Sequence, residues 1–197
     1  MRRRIHKNIG GFTLIEMMVS ITIGMVVIAA ITGTFTAQTR QNKAEEEISQ
    51  MHQNVRGALD LMSREIMQAG YKASGGSVTG VTYSTTQLLI QADLDTNGSI
   101  DTSNTSLEYI TYVYDSANMR ITRQLGTGGT AEIVADNITA CTFTYKDAND
   151  ATTTTSSSIR KVTVSTTGRT AKVDPSYPGG YRTYQLSVDV TPPNLAL

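Results

Sequence analysis

Residues 12–35 read FTLIEMMVSITIGMVVIAAITGTF, and the only charge among them is Glu16. Arg2, Arg3, Arg4 and Lys7 stand ahead of this stretch, and Gly10-Gly11 marks the junction. As a helix rising about 1.5 Å per residue it is roughly 36 Å long, enough to cross a hydrocarbon core of about 30 Å. Excess basic residues keep their side of a span in the cytoplasm. The leader is therefore expected inside and the rest of the chain across the membrane. A secretory signal places its small-residue cleavage site after an apolar run of about 7–15 residues. Here the run is longer and no A-x-A site follows it; the punctuation comes before it. Glycine has no side chain, so backbone at Gly10-Gly11 fits closely into a protease cleft. A cut there removes the basic tip and leaves the apolar helix on the product.

The run Gly11-Phe12-Thr13-Leu14-Ile15-Glu16 resembles the processing motif of type IV prepilins and type II secretion pseudopilins. That resemblance implies that a membrane aspartyl prepilin peptidase cuts between Gly11 and Phe12 and methylates the new amine. It also implies a role for Glu16 in assembly. A carboxylate at the centre of a membrane helix costs about 2.5–3.5 kcal/mol, and less near the interface. Pairing with the amine of an adjacent subunit would offset that cost only in the right axial register. Gly24 and Gly33 suit close helix–helix packing, the alternative being local melting of the helix during filament assembly. Many major pilins carry a Pro in this region; its absence here leans toward a minor subunit.

Past Phe35 the chain turns polar without a breaker. Ile48, Met51, Val55, Leu59, Met62 and Ile66 recur at spacings of three and four, which marks one helix face. One helix over 12–69 is expected, stopped at Gly70. Residues 55–71, VRGALDLMSREIMQAGY, resemble a helix of the PilW-type minor pilins, and J-type pseudopilins share part of it.

From Val78 the pattern changes to period two, with strands expected over 88–92, 107–114, 119–123, 138–146, 160–166 and 181–190. Cys141, Phe143 and Tyr145 fall on one face of the fourth, and Thr142 and Thr144 on a wet face. The residues imply an α+β architecture, a long N-terminal helix packed by its second half on an antiparallel sheet; the resemblance implies the type IV pilin fold. The expected parts are a leader (1–11, removed), a membrane or filament-core helix (12–35), its amphipathic continuation (36–69) and a β-sheet head (70–197). Residues 151–158 read as a mobile loop.

The sequence Asp93-Leu94-Asp95-Thr96-Asn97-Gly98-Ser99-Ile100-Asp101 matches the first nine positions of an EF-hand-type calcium loop. Asp93, Asp95, Asn97 and Asp101 would supply side-chain oxygens and Ser99 its carbonyl. Position twelve is Asn104 instead of Glu, and Glu108 lies four residues on, placed to close the shell. The same residue types also make an ordinary polar turn. Ca2+ is the one cofactor the sequence points to.

Bases and acids balance at 17 each. Without the four leader bases the mature chain is mildly acidic, with no reason to expect nucleic-acid binding. The chain has no HExxH, GxSxG, CxxC or P-loop. His52 reads as a surface residue and Cys141 as core, so no enzyme is expected. The reading is a PilW-type minor pilin acting in pilus assembly or priming. Its expected partners are other pilins through the N-terminal helix, the prepilin peptidase and the bacterial inner membrane. It would span that membrane once with its head outside the cytoplasm, and reach the pilus after assembly. The alternatives are a J-type pseudopilin of a type II secretion system and a membrane-anchored calcium-dependent adhesin module.

Overall fold

A computed structural model describes residues 10–72, 78–175 and 177–195; most of the basic leader lies outside them. The chain divides into two units, Met1–Glu45 and Glu46–Leu197. Helix α1, Leu14–Gln68, runs through the boundary.

From Leu14 to Phe35 the helix is apolar on every side apart from Glu16, and Phe12, Ile15, Met18, Ile23, Met25, Ile28 and Phe35 are all exposed. The threonines inside it return their hydroxyls to the helix. Thr22 donates to the Met18 carbonyl, Thr32 to Ile28, Thr34 to Ala30 and Thr36 to Thr32, at 2.8–3.0 Å. That back-bonding satisfies these threonine hydroxyls in a segment that needs an apolar solvent. The helix is long and apolar enough to cross a membrane. A Cβ built at Gly24 or Gly33 meets nothing within 4 Å, so those surfaces are open.

In the second unit Met51, Val55, Leu59, Met62 and Ile66 are buried as their spacing predicts, Ala58 is buried with them, and Ile48 of the expected stripe is half-buried. The helix stops at Gly70, whose φ of +76° favours glycine. A Cβ there would sit 2.6 Å from Leu195, on the short 3-10 turn Pro193–Leu195.

The strands are β1 (Val81–Thr82), β2 (Gln87–Gln91), β3 (Tyr109–Asp115), β4 (Arg120–Leu125), β5 (Glu132–Asp136), β6 (Ile138–Lys146), β7 (Lys161–Arg169) and β8 (Thr183–Val190). All pairings are antiparallel, in two sheets instead of one, β1-β2-β3-β4-β5 and β6-β7-β8. The chain passes between sheets at Asn137, in the left-handed region with φ +57°. One core joins the stripe of α1 to Leu88, Ile90, Ile110, Tyr112 and Ile121 of the first sheet and to Ile138, Tyr145, Val162 and Val164 of the second. Gly168 of β7 lies against the helix; a Cβ there would come within 2.5 Å of Val55 Cγ2.

Three local expectations change. Residues 151–158 are exposed or half-buried but tied down, with a bridge from Thr152 to Lys146, a 3-10 turn at Ser156–Ser158, and Tyr83 N–H donating to Ser156 Oγ at 3.0 Å. His52 is half-buried, its ring 4.1 Å from that of Tyr184. Strands β1 and β5 were not expected: the first is two residues long and the second has one buried residue.

Candidate functional site

The N-terminal motif has a defined geometry. Thr13 immediately precedes the first residue of α1, and Glu16 lies in its first turn. Thr13 Oγ1 accepts from the Glu16 N–H at 3.3 Å. Glu16 Oε2 accepts from the Thr13 backbone N–H at 3.0 Å and from the Thr13 hydroxyl at 2.9 Å. This reciprocal pair is a capping box, and it satisfies two of the N–H groups that every helix start leaves open. The carboxylate also lies at the positive end of the helix dipole. Glu16 thus has an intrachain role, which lowers the cost of carrying an acid into an apolar segment. Phe12 and Gly11, beside the cap, are exposed. The signal missed in the sequence is Thr-x-x-Glu ahead of an apolar run.

The acidic loop follows β2. Its base is fixed by the helix end, where the Gly70 N–H donates to the Gln91 carbonyl and the Asp93 N–H to the Tyr71 carbonyl, at 2.9 and 2.8 Å. Ala69-Gly70-Tyr71 is therefore the clamp on which the loop starts. Asp93 and Glu108 are buried. Glu108 Oε1 accepts from the N–H groups of Leu94 and Asp95 at 2.8 and 3.0 Å, and Oε2 from that of Asp101 at 2.8 Å. Asp93 Oδ2 accepts from the Gly98 N–H at 2.9 Å. Carboxylate oxygens of Asp93, Asp95 and Glu108 lie within 4.8 Å of one another.

Hydrogen bonds within the loop also occupy the expected ligands. Asp95 Oδ1 and Oδ2 accept from Asn97, and Asn97 Oδ1 accepts from the N–H and hydroxyl of Ser99. Both Asp101 oxygens accept from Ser103, and the Ser103 N–H, then its hydroxyl, hold that carboxyl below its usual pKa. Asn104 lies beside Gly128 of the turn after β4, and Thr127 N–H donates to the Thr102 carbonyl at 3.2 Å.

A third cluster was not foreseen. Glu65 of α1 takes Arg123 Nη2 at 2.6 Å and Nε at 3.0 Å on Oε1, and the Tyr112 hydroxyl on Oε2. Both members of the ion pair are largely buried. The cluster joins the helix to β3 and β4, and its charge is neutralised internally; it reads as a fastener.

The prepilin peptidase-dependent protein B family matches residues 45–190, three quarters of the chain. The chain belongs to this family. The prokaryotic N-terminal methylation motif matches residues 6–32, which include Gly11, Phe12, Thr13 and Glu16. Among solved structures, a type IV-like pilin from Thermus thermophilus is similar, with 13% identity over 77% of this chain and 98% of that one, at a TM-score of 0.44. No curated protein matches. As a member of the prepilin peptidase-dependent protein B family, the chain is a type IV pilin-like structural subunit, with one long N-terminal helix and antiparallel sheets. The capping box lies inside the methylation-motif match. The loop and the Glu65 cluster lie inside the family match.

Proposed function

We propose that this pilin-like chain is a minor pilin of the PilW type. It is inserted once in the inner membrane with its head outside the cytoplasm, then cut between Gly11 and Phe12. Methylated at Phe12, it is recruited with other pilins into the complex that primes pilus assembly. The observation that carries the reading is the capped helix start. An acid one turn from the new amine heads an apolar helix that is exposed all round within its own unit. Within its own unit nothing among the described residues covers that helix, so it needs lipid first and other helices afterwards. Glu16 can exchange its bond to Thr13 for one to a neighbour's amine, which stays chargeable after methylation. Glu16→Ala should reach the membrane at wild-type level yet restore few pili to a strain lacking the chain. Normal piliation by that variant would overturn the role. A deletion strain that keeps its pili but loses protein secretion would assign the chain to the J-type pseudopilins instead.

The acidic loop favours a calcium ion in the head, as a calcium-dependent surface module would need. Asp93, Asp95 and Glu108 already converge. Glu108 Oε1 has both lone pairs in use, so a bound ion would rely on Oε2 and the two aspartates. Such a site would be weak, near the millimolar range of extracellular modules. Millimolar calcium should raise the melting temperature of the detergent-solubilised chain, and Asp95→Ala should remove the rise. No response in melting or calorimetry would leave the loop a hydrogen-bonded turn.

A further inference from the structure

Four strands end the two sheets, β1, β5, β6 and β8. Unprotected edges invite other strands, and proteins blunt them by shortness, charge, bulges or cover. Strand β1 has two residues. Strand β5 carries Glu132 and Asp136, and its pairing slips between Ile121 and Thr122. Strand β6 has a register shift between Ile138 and Ala140. Its ends are covered, by a bond from the Ile138 N–H to the Met119 carbonyl and one from the Thr153 N–H to the Tyr145 carbonyl.

Strand β8 is neither short nor bulged, and a single charge is its only protection of this kind among the described residues. It pairs with β7 in unbroken register over its eight residues, TYQLSVDV, whose one charge is Asp189. Among the described residues, no backbone hydrogen bond ties it to anything but β7. The burial pattern points the same way. In β7, Val162, Val164 and Thr166 are buried, whereas Tyr184, Leu186 and Val188 of β8 are only half-buried. The apolar row reaches the edge, where Tyr184 has the His52 ring beside it and Leu186 and Val188 stay partly exposed.

We propose that β8 is a docking edge for an extended strand from the head of a different pilin-like subunit, which adds a fourth strand to this sheet. Backbone groups would supply the bonds. Apolar residues at alternate positions of the incoming strand would cover Tyr184, Leu186 and Val188. A second copy is the poorer occupant. Its other edges are blunted, so only β8 could meet β8, and a twofold pair of that kind closes on itself instead of extending a filament. The inference rests on the reading of the chain as an assembling pilin-like subunit.

The test places a benzophenone amino acid at Gln185, at Ser187 or at Thr142 of the full chain, in cells that produce its companion subunits. Thr142 pairs with Ser165 and Ser165 with Ser187, so it lies on the same sheet face two strands in, about 9.5 Å from the edge strand. A fourth probe at Val26 reports assembly through the apolar helix. The expected adducts from Gln185 and Ser187 map two residues apart on one extended segment of another pilin-like subunit, and Thr142 gives none. Gln185→Lys with Ser187→Lys should keep the melting temperature and release that subunit. Adducts from Val26 without any from β8, or β8 adducts only to a second copy, would overturn the docking edge while assembly stands. Silence at Val26 as well would overturn both.

Discussion

Thr13 and Glu16 lie three residues apart, and their mutual bonds follow from a local rule of helix starts. That part of the site is legible in the sequence once Thr-x-x-Glu is read together with the apolar run behind it. Glu65 and Arg123 are different. They lie 58 residues apart, and nothing local marks either one, since an Arg on a strand and a Glu on a helix are common surface residues. Only the fold brings them together, with both side chains largely buried. Removing one partner of a buried pair leaves the other uncompensated and costs about 3–5 kcal/mol. Arg123→Ala should therefore lower the melting temperature sharply, whereas Glu65→Leu with Arg123→Met should recover most of the loss. A mild effect of the single variant would show that the pair is not a fastener.

Among elements, the long helix and the longer strands were readable because each shows a sustained period. Strand β6 begins and ends where expected, at Ile138 and Lys146, and β8 starts two residues later than expected. Strand β1 is too short to show a period, and β5 has one buried residue, so neither announces itself. The division into two sheets turns on the single left-handed residue Asn137, which no pattern of apolar residues encodes. The close approach of α1 to β7 at Gly168 leads to a sharp expectation. Gly168→Ala forces a methyl into Val55 Cγ2 and should cost about 1–3 kcal/mol by overpacking. With Val55→Ala in the same chain the cost should be less than the sum of the two single variants, as measured by chemical denaturation.

Burial in and around β6 also sets a limit at high pH. It pushes the Cys141 thiol from 9.0 up to about 11, and the Tyr145 hydroxyl from 10.0 up to about 12. The Tyr112 hydroxyl is raised too, first by burial and then by its bond to Glu65. Each folded value exceeds its unfolded one, so the native state holds protons that the unfolded chain releases. Their contribution is complete below pH 9.0 and falls as pH rises through the folded values. The melting temperature should drop across that window, and Cys141→Val should delay the onset. An unchanged melting temperature up to about pH 12 would contradict the burial of these groups.

At the scale of the whole molecule, the sequence changes character after Phe35, before the chain divides between Glu45 and Glu46. A segment apolar on all sides gives way to one with a single buried stripe, and the second unit begins at Glu46. The central claim is that the first segment becomes the start of the mature protein. Mass spectrometry and N-terminal sequencing of the chain purified from membranes test it most directly. The mature chain should begin at an N-methylated Phe12, and Gly11→Leu should leave the precursor uncut. A mature chain that begins beyond Phe35, or one that retains its leader unmethylated, would contradict it.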